Sequence, residues 1–151
     1  MEKIDLNKTD FQTEDDLKNY LTSLVLEYAS TMNKIEEEIC LKEQNQSEID
    51  FFPEFKKLYL PVFEKYCSEK RRIYGGKADS FGIPTKFDGI EKHIECSVDL
   101  KNTNRAEVYF KTDNDEDAEY LFVLLRKSNI WRIDNAKVRW YEEEKWDTVI
   151  L

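Results

Sequence analysis

In the first fifty positions, apolar residues recur at spacings of three and four, which predicts one long helix. Between Leu17 and Ile39 these residues form a single stripe, and most charged side chains lie off it. Thr13 stands directly before three acids, and its hydroxyl and their charges favour a helix start. The helix is expected to fade near residues 44–47. About 30 residues would span roughly 45 Å, more than the width of a small domain, so the end should bend or project.

A second helical pattern runs from about Pro53 to Cys67. Pro53 suits the first turn of a helix, where its missing N–H is not needed. Pro61 lies inside the pattern, where proline removes a hydrogen bond and clashes with the preceding turn. The sequence therefore predicts either a kink at Pro61 or two short helices.

All four glycines of the protein lie in the segment Arg71–Gly89. Glycine tolerates backbone conformations that other residues avoid, so this segment is predicted to be a shaped loop or a bent edge. After it the hydrophobic period changes to two. Residues 94–100 and 106–111 alternate between apolar and polar, and a short polar turn joins them, which indicates a β-hairpin.

Further strands are predicted after the hairpin, about four in all. Tyr120–Arg126 is apolar on both faces, as in a central strand. Ile130–Asp134 and Lys137–Tyr141 indicate one strand interrupted by a bulge, and Trp146–Leu151 indicates either a last short strand or a tail. Helices followed by strands predict an α+β fold, a single domain over residues 1–151 with N-terminal helices packed on one face of a strongly bent antiparallel sheet.

The composition favours a cytoplasmic protein that binds another protein. The net charge of −9 disfavours nucleic acid and anionic membranes and favours a basic partner, although a negative charge that serves only solubility is the alternative. The N-terminus is polar, and no apolar run approaches the roughly 20 residues of a membrane span. Cys40, Cys67 and Cys96 form no CxxC pair, and we interpret them as reduced thiols.

The sequence contains no motif that indicates catalysis. His93 is the only histidine, which excludes metal sites built on several histidines, and no cofactor or metal is expected. An enzyme would need a buried acid beside a tyrosine or a second acid in one cavity. Asp99 or Asp134 with Tyr74 or Tyr109 could form such a set, although their spacing does not select them.

Acidic residues beside tryptophans make the best candidate contact surface. Aromatic anchors next to charge are typical of protein interfaces, although burial of both tryptophans in the core is the alternative. A second acidic cluster lies between the predicted strands. The predicted partner-binding residues are Trp140, Glu142, Glu143, Glu144 and Trp146, followed by Asp115, Glu116 and Asp117.

The stretch Leu58–Asp88 (LYLPVFEKYCSEKRRIYGGKADSFGIPTKFD) and the strand with WRID (Trp131–Asp134) resemble bacterial immunity proteins with a nuclear-transport-factor-2-like fold. That family is associated with Rhs-type and related polymorphic toxins. The order of elements is similar from about Asp16 to Tyr141. The resemblance implies a cone-shaped α+β domain that binds and neutralises the toxin domain of a neighbouring gene. It transfers no catalytic or contact residue.

Two other functions remain open from the sequence. The same fold class hosts isomerases and dehydratases that act on small molecules in the mouth of the cone, so the fold does not decide between uses. The second possible function is that of a homodimeric scaffold, because bent sheets of this kind often pair. Dimerisation would not exclude immunity. The acidic surface would suit a basic toxin such as a nuclease, whose own substrate is polyanionic.

Overall fold

The computed structural model describes residues 4–70, 81–140 and 143–151. Two helices precede five strands, which form one antiparallel sheet in the order β1-β2-β3-β4-β5. This arrangement confirms the predicted α+β class and the position of β3 at the centre of the sheet. The elements are α1 (Glu14–Asn45), α2 (Phe52–Tyr66), a 3₁₀ turn (Ile90–Lys92), β1 (Glu95–Asn102), β2 (Arg105–Lys111), β3 (Glu119–Lys127), β4 (Ile130–Arg139) and β5 (Asp147–Val149).

Helix α1 begins and ends close to the predicted positions. The Thr13 hydroxyl accepts a hydrogen bond from the backbone N–H of Asp16 at 3.0 Å, so it caps the helix as expected. Burial along the stripe stops at Cys40, and Leu41 is 61% exposed. The last turn of α1 thus extends past the core, as the length of the helix predicts.

Helix α2 is continuous through Pro61, so the prediction of two short helices is wrong. Proline at this position frees the carbonyl of Lys57, one turn earlier. Lys57 and Pro61 are both exposed, so water can bond that carbonyl and the helix need not end. Within the described ranges, no helix is both long and apolar enough to cross a membrane.

Aromatic side chains fill the space between α1 and the sheet. Phe87 is fully buried, with its ring 5.9 Å from that of Tyr28 on α1 and 5.3 Å from that of Phe122 on β3. Phe110 on β2 continues this cluster, and Trp131 on β4 is 2% exposed. Large rings that bury their area here supply much of the hydrophobic stabilisation of the fold.

The bulge predicted within the fourth strand is present at Asp134. The register of β4 against β3 shifts there, because Asn135 pairs with Val123 and Ile133 with Leu124. The Asp134 carboxylate accepts hydrogen bonds from Ser68 Oγ at 2.6 Å and from Lys70 Nζ at 2.8 Å. The bulge therefore ties the chain after α2 to the sheet.

The predicted loop Arg71–Gly89 is described only from Phe81 onward, and residues 71–80 lie outside the described part. A 3₁₀ turn, which the sequence did not predict, follows Gly89. Upstream of the turn, the Asn33 side chain on α1 bonds both backbone groups of Phe87. Its Nδ2 donates to the Phe87 carbonyl at 2.8 Å, and its Oδ1 accepts the Phe87 N–H at 3.1 Å.

Replacing Asn33 by alanine should lower the free energy of unfolding by about 2 kcal/mol, because two buried backbone groups lose their partners. Urea unfolding measures the change. Ser30→Ala is the matched control, because the Ser30 hydroxyl donates to the carbonyls of Leu26 and Glu27 on its own helix. Equal stability of the two variants would contradict the role given to Asn33.

Candidate interaction surface

The loops that hold the two predicted acidic clusters emerge at the same end of the sheet. Lys111 at the end of β2 pairs with Glu119 at the start of β3, and Glu119 pairs with Arg139 at the end of β4. The β2–β3 loop (112–118) and the β4–β5 loop (140–146) therefore begin side by side. We call these two loops the acidic end, since their sequences hold seven acids and one base.

The opposite end of the sheet has the opposite charge. Lys101 and Arg105 lie on either side of the β1–β2 turn, and Arg126 and Lys127 are the last residues of β3 before the β3–β4 turn. Charge is thus separated along the strand direction, and this gives the sheet a negative end and a more positive end. Such a distribution orients an approaching charged partner.

A groove of about 420 Å³ opens at the acidic end. Trp140 lines it beside Val149 of β5, and Glu116 of the β2–β3 loop lines it together with Asp88. Trp140 is half-buried and packs partly against the core. The structure therefore brings one residue from each predicted set, Trp140 and Glu116, to a single concave site.

The β2–β3 loop is held by the side chain of Asn114. Its Oδ1 accepts the N–H groups of Glu116 at 3.2 Å and Ala118 at 2.9 Å, and its Nδ2 donates to the carbonyl and carboxylate of Asp88, each at 3.1 Å. The Tyr120 hydroxyl donates to the same Asp88 carbonyl at 2.7 Å. The acids of this loop thus stand on a backbone that is already ordered, which lowers the entropy lost on binding.

Gly89 makes the close approach of Asn114 possible. Its φ is +82°, a left-handed conformation that glycine adopts without steric cost. A Cβ at this position would lie 3.2 Å from the Cβ of Asn114. The clustering of glycines in the sequence predicted a loop with an unusual backbone here. Gly89 allows Asn114, which holds the β2–β3 loop of the acidic end, to pack closely against that backbone.

Trp146 anchors the other loop against the outer face of the sheet. The Arg139 guanidinium lies 4.3 Å from the centre of the Trp146 ring, and the Tyr109 ring meets it edge-on at 6.4 Å. Arg139 and Tyr109 both donate to the Glu119 carboxylate. Although burial acts to raise the pKa of Glu119, these hydrogen bonds lower it below its ordinary value. Burial and the bond to Glu119 raise the pKa of Tyr109 to about 12.

The family model for NTF2 fold immunity proteins matches residues 20–149 of the chain. The chain belongs to this family. No curated protein and no solved structure matches it. The two helices and the five-stranded sheet agree with the nuclear-transport-factor-2-like fold that the resemblance implied.

The immunity protein exposes most of the predicted contact acids. Glu143 and Glu144 are exposed, and the Glu143 N–H donates to the Trp140 carbonyl at 3.0 Å. Asp115 and Asp117 are exposed on the neighbouring loop. Glu142 was predicted with them and lies outside the described residues. Neither Trp140 nor Trp146 is fully buried, so the alternative that both pack into the core is wrong.

Three of the four residues that could have formed an enzyme site in this immunity protein are engaged elsewhere. Asp99 is exposed and lies 2.7 Å from the Lys101 ammonium, and Tyr109 bonds Glu119. Asp134 holds Lys70, and Tyr74 lies outside the described part. In the described ranges, no group of three or more histidine, cysteine, aspartate or glutamate residues could hold a metal ion.

One buried acid of the immunity protein was missed. Most charged side chains of the first helix were predicted to lie off its apolar stripe, but Glu36 on α1 is 2% exposed. Its Oε2 accepts the Lys86 N–H at 2.9 Å. Burial raises the pKa of Glu36 to about 7, although the bond from Lys86 and its charge oppose the shift. Glu36 does not line the groove at the acidic end.

Proposed function

We propose that this immunity protein binds and neutralises a cognate toxin domain in the cytoplasm, as a non-catalytic inhibitor. The observation that carries the proposal is its membership of the immunity family, together with an acidic end that joins tryptophan and carboxylates in one groove. The toxin would come from a polymorphic system of the Rhs type or a related type. In a protein interface, aromatic side chains surrounded by a charged rim usually contribute most of the binding free energy.

The proposed contact surface extends over both loops of the acidic end. A stable interface involves about 20–30 residues on each partner, whereas eleven described residues line the groove. We therefore include the exposed acids of the rim beside Trp140. The proposed contact residues are Trp140, Glu142, Glu143, Glu144, Trp146, Asp115, Glu116 and Asp117.

The charge of the acidic end favours a basic toxin, and a nuclease is the toxin class that we propose. The two loops carry a net charge of −6 in fourteen positions, out of −9 for the whole chain. A nuclease binds its polyanionic substrate through a basic cleft, so an acidic surface can occupy the same cleft and block it. Complementary charge would also speed capture, which matters when the toxin acts inside the producing cell.

Growth rescue tests the proposal directly. The C-terminal toxin domain encoded by the adjacent upstream gene is expressed with and without this protein. Rescue and co-purification are expected. A confirmed lethal toxin that the folded protein neither binds nor neutralises would contradict the proposal. In a purified mixture the immunity protein should stop the toxin from cleaving its substrate. If excess nucleic acid restores cleavage, the immunity protein blocks the toxin's cleft. If it does not, the immunity protein holds the toxin in an inactive conformation.

Reversing three charges at the acidic end should lower the rate of association with the toxin at least tenfold. The variant carries Glu116→Lys, Glu143→Lys and Glu144→Lys, which replace long-range attraction by repulsion. Stopped-flow or biosensor kinetics at low and high salt measure the rate, and the difference should shrink as salt screens the charges.

A matched control reverses three exposed acids elsewhere, Glu37, Glu48 and Glu64, with the same change in net charge. This control should retain most of the association rate, since these residues lie on the helices and their connection. If both triple variants slowed association equally, net charge alone would explain the effect and the acidic end would be excluded.

A further inference from the structure

Strand β1 has a free edge among the described residues. It lies at the end of the strand order and pairs with β2 alone in that part of the chain. Glu95, Ser97 and Asp99 are exposed on one face of its eight residues. An unpaired edge presents a row of backbone N–H and C=O groups that can pair with another strand.

The face of β1 toward the helices is also incompletely covered. Val98 and Leu100 are partly buried against the core, but Cys96 is exposed and Ile94 is 54% exposed. On β2, by contrast, the corresponding inward residues are fully buried. The apolar row of β1 therefore has area left for a neighbour beyond the edge of the sheet.

We propose that a second copy of this chain pairs with β1, antiparallel and about a two-fold axis at Val98. In this register Val98 faces Val98 of the second copy, and Cys96 faces its Leu100. On the opposite face, Ser97 is opposite Asp99 and Glu95 is opposite Lys101. Among residues 95–101 each facing pair thus joins apolar with apolar, polar with acid, or acid with base, and each of these pairs except the central one occurs twice; at the strand end Asn102 faces Ile94.

Charge selects this register over its neighbours. A shift of two residues in one direction places Glu95 opposite Asp99, and a shift in the other places Asp99 opposite its own copy. Like charges directly opposite each other are destabilising. A shift of one residue would turn the apolar row of one copy toward the polar row of the other. The register centred on Val98 avoids all of these conflicts.

Lys101 can bind Glu95 of the second copy although it already has acidic partners in its own chain. The Lys101 ammonium lies 2.7 Å from Asp99 and 3.6 Å from Glu107, and its side chain is still 42% exposed. An ammonium has three N–H donors, so Glu95 of the second copy can be added to these contacts. The β1 edge is separate from the two loops of the acidic end, so this inference does not depend on the proposed function and can be tested without a toxin.

The first test measures mass against concentration by sedimentation equilibrium. The chain of 18.1 kDa should form a reversible dimer. Glu95→Lys should raise the dimer dissociation constant about tenfold, because two attractive pairs become repulsive. Adding Lys101→Glu should restore dimerisation, whereas Glu48→Lys, an equal charge change at an exposed remote site, should leave it unchanged.

The second test fixes the register with a disulfide. In a Cys96→Ser, Val98→Cys variant the two new thiols would face each other at about 5 Å, close enough to be bridged after a small adjustment. Diamide accepts the two electrons and two protons as the bond forms. A covalent dimer is expected from this variant and not from Cys96→Ser alone, whose remaining cysteines are buried.

Two results would overturn the proposal. One is a monomer at every concentration together with no covalent dimer from the Val98→Cys variant. The other is a dimer whose dissociation constant is unchanged by Glu95→Lys and which the Val98 thiols do not cross-link, because that dimer must use another surface.

Discussion

Replacing Trp140 by alanine should weaken toxin binding about 100-fold, or by roughly 3 kcal/mol. Trp140 lines the groove at the acidic end, which Glu116 from the second loop also lines. A tryptophan in such a position presents a large rigid surface that is only half-buried before binding. Its loss would remove the apolar centre of the proposed interface and leave the charged rim, which contributes more to association rate than to affinity.

Isothermal titration calorimetry against an inactive toxin variant measures the affinity. Phe52→Ala is a matched control, because Phe52 is also a half-buried aromatic residue, but it lies on α2 beside Phe55. Trp140→Phe should keep most of the affinity. If Trp140→Ala bound the toxin as tightly as the native chain, with the fold intact by circular dichroism, the groove could not be the centre of the interface.

The sequence predicted the elements of this fold because each has a strong local signal. The three- and four-residue period defined α1, its threonine cap fixed the start, and alternation defined the β1–β2 hairpin. Even the bulge at Asp134 was visible, because the apolar pattern changes phase there. The alternative of two short helices at Pro61 was wrong because the effect of proline depends on whether water reaches the freed carbonyl, which is a property of the packed molecule.

The candidate surface was only partly predictable for the same reason. Each acidic cluster was evident by itself, but the proximity of Trp140 and Glu116 depends on strand register. Asn33 and Glu36 were missed because their partners, Phe87 and Lys86, lie about fifty residues away. A polar residue on a helix is usually solvated, and local sequence does not show which one meets a distant backbone group.

Glu36→Gln should stabilise the protein by about 3 kcal/mol at about pH 8 and have little effect below about pH 5. The pKa of Glu36 in the fold is about 7, above its ordinary value, mainly because of burial. The folded state therefore binds the proton more tightly than the unfolded state. The stability that this carboxyl contributes is full below its unfolded pKa, falls as pH rises through about 7, and is lost above that.

The neutral glutamine has no charge to desolvate, and its side-chain oxygen can still accept the Lys86 N–H that Glu36 accepts. Urea unfolding of both proteins between about pH 5 and pH 8 should give a difference that grows with pH and levels off above about 7. Glu37→Gln, an exposed neighbour on the same helix, should show no such trend. A difference for Glu36→Gln that is constant with pH would mean that Glu36 titrates normally, and that water or a rearranged helix solvates it in solution.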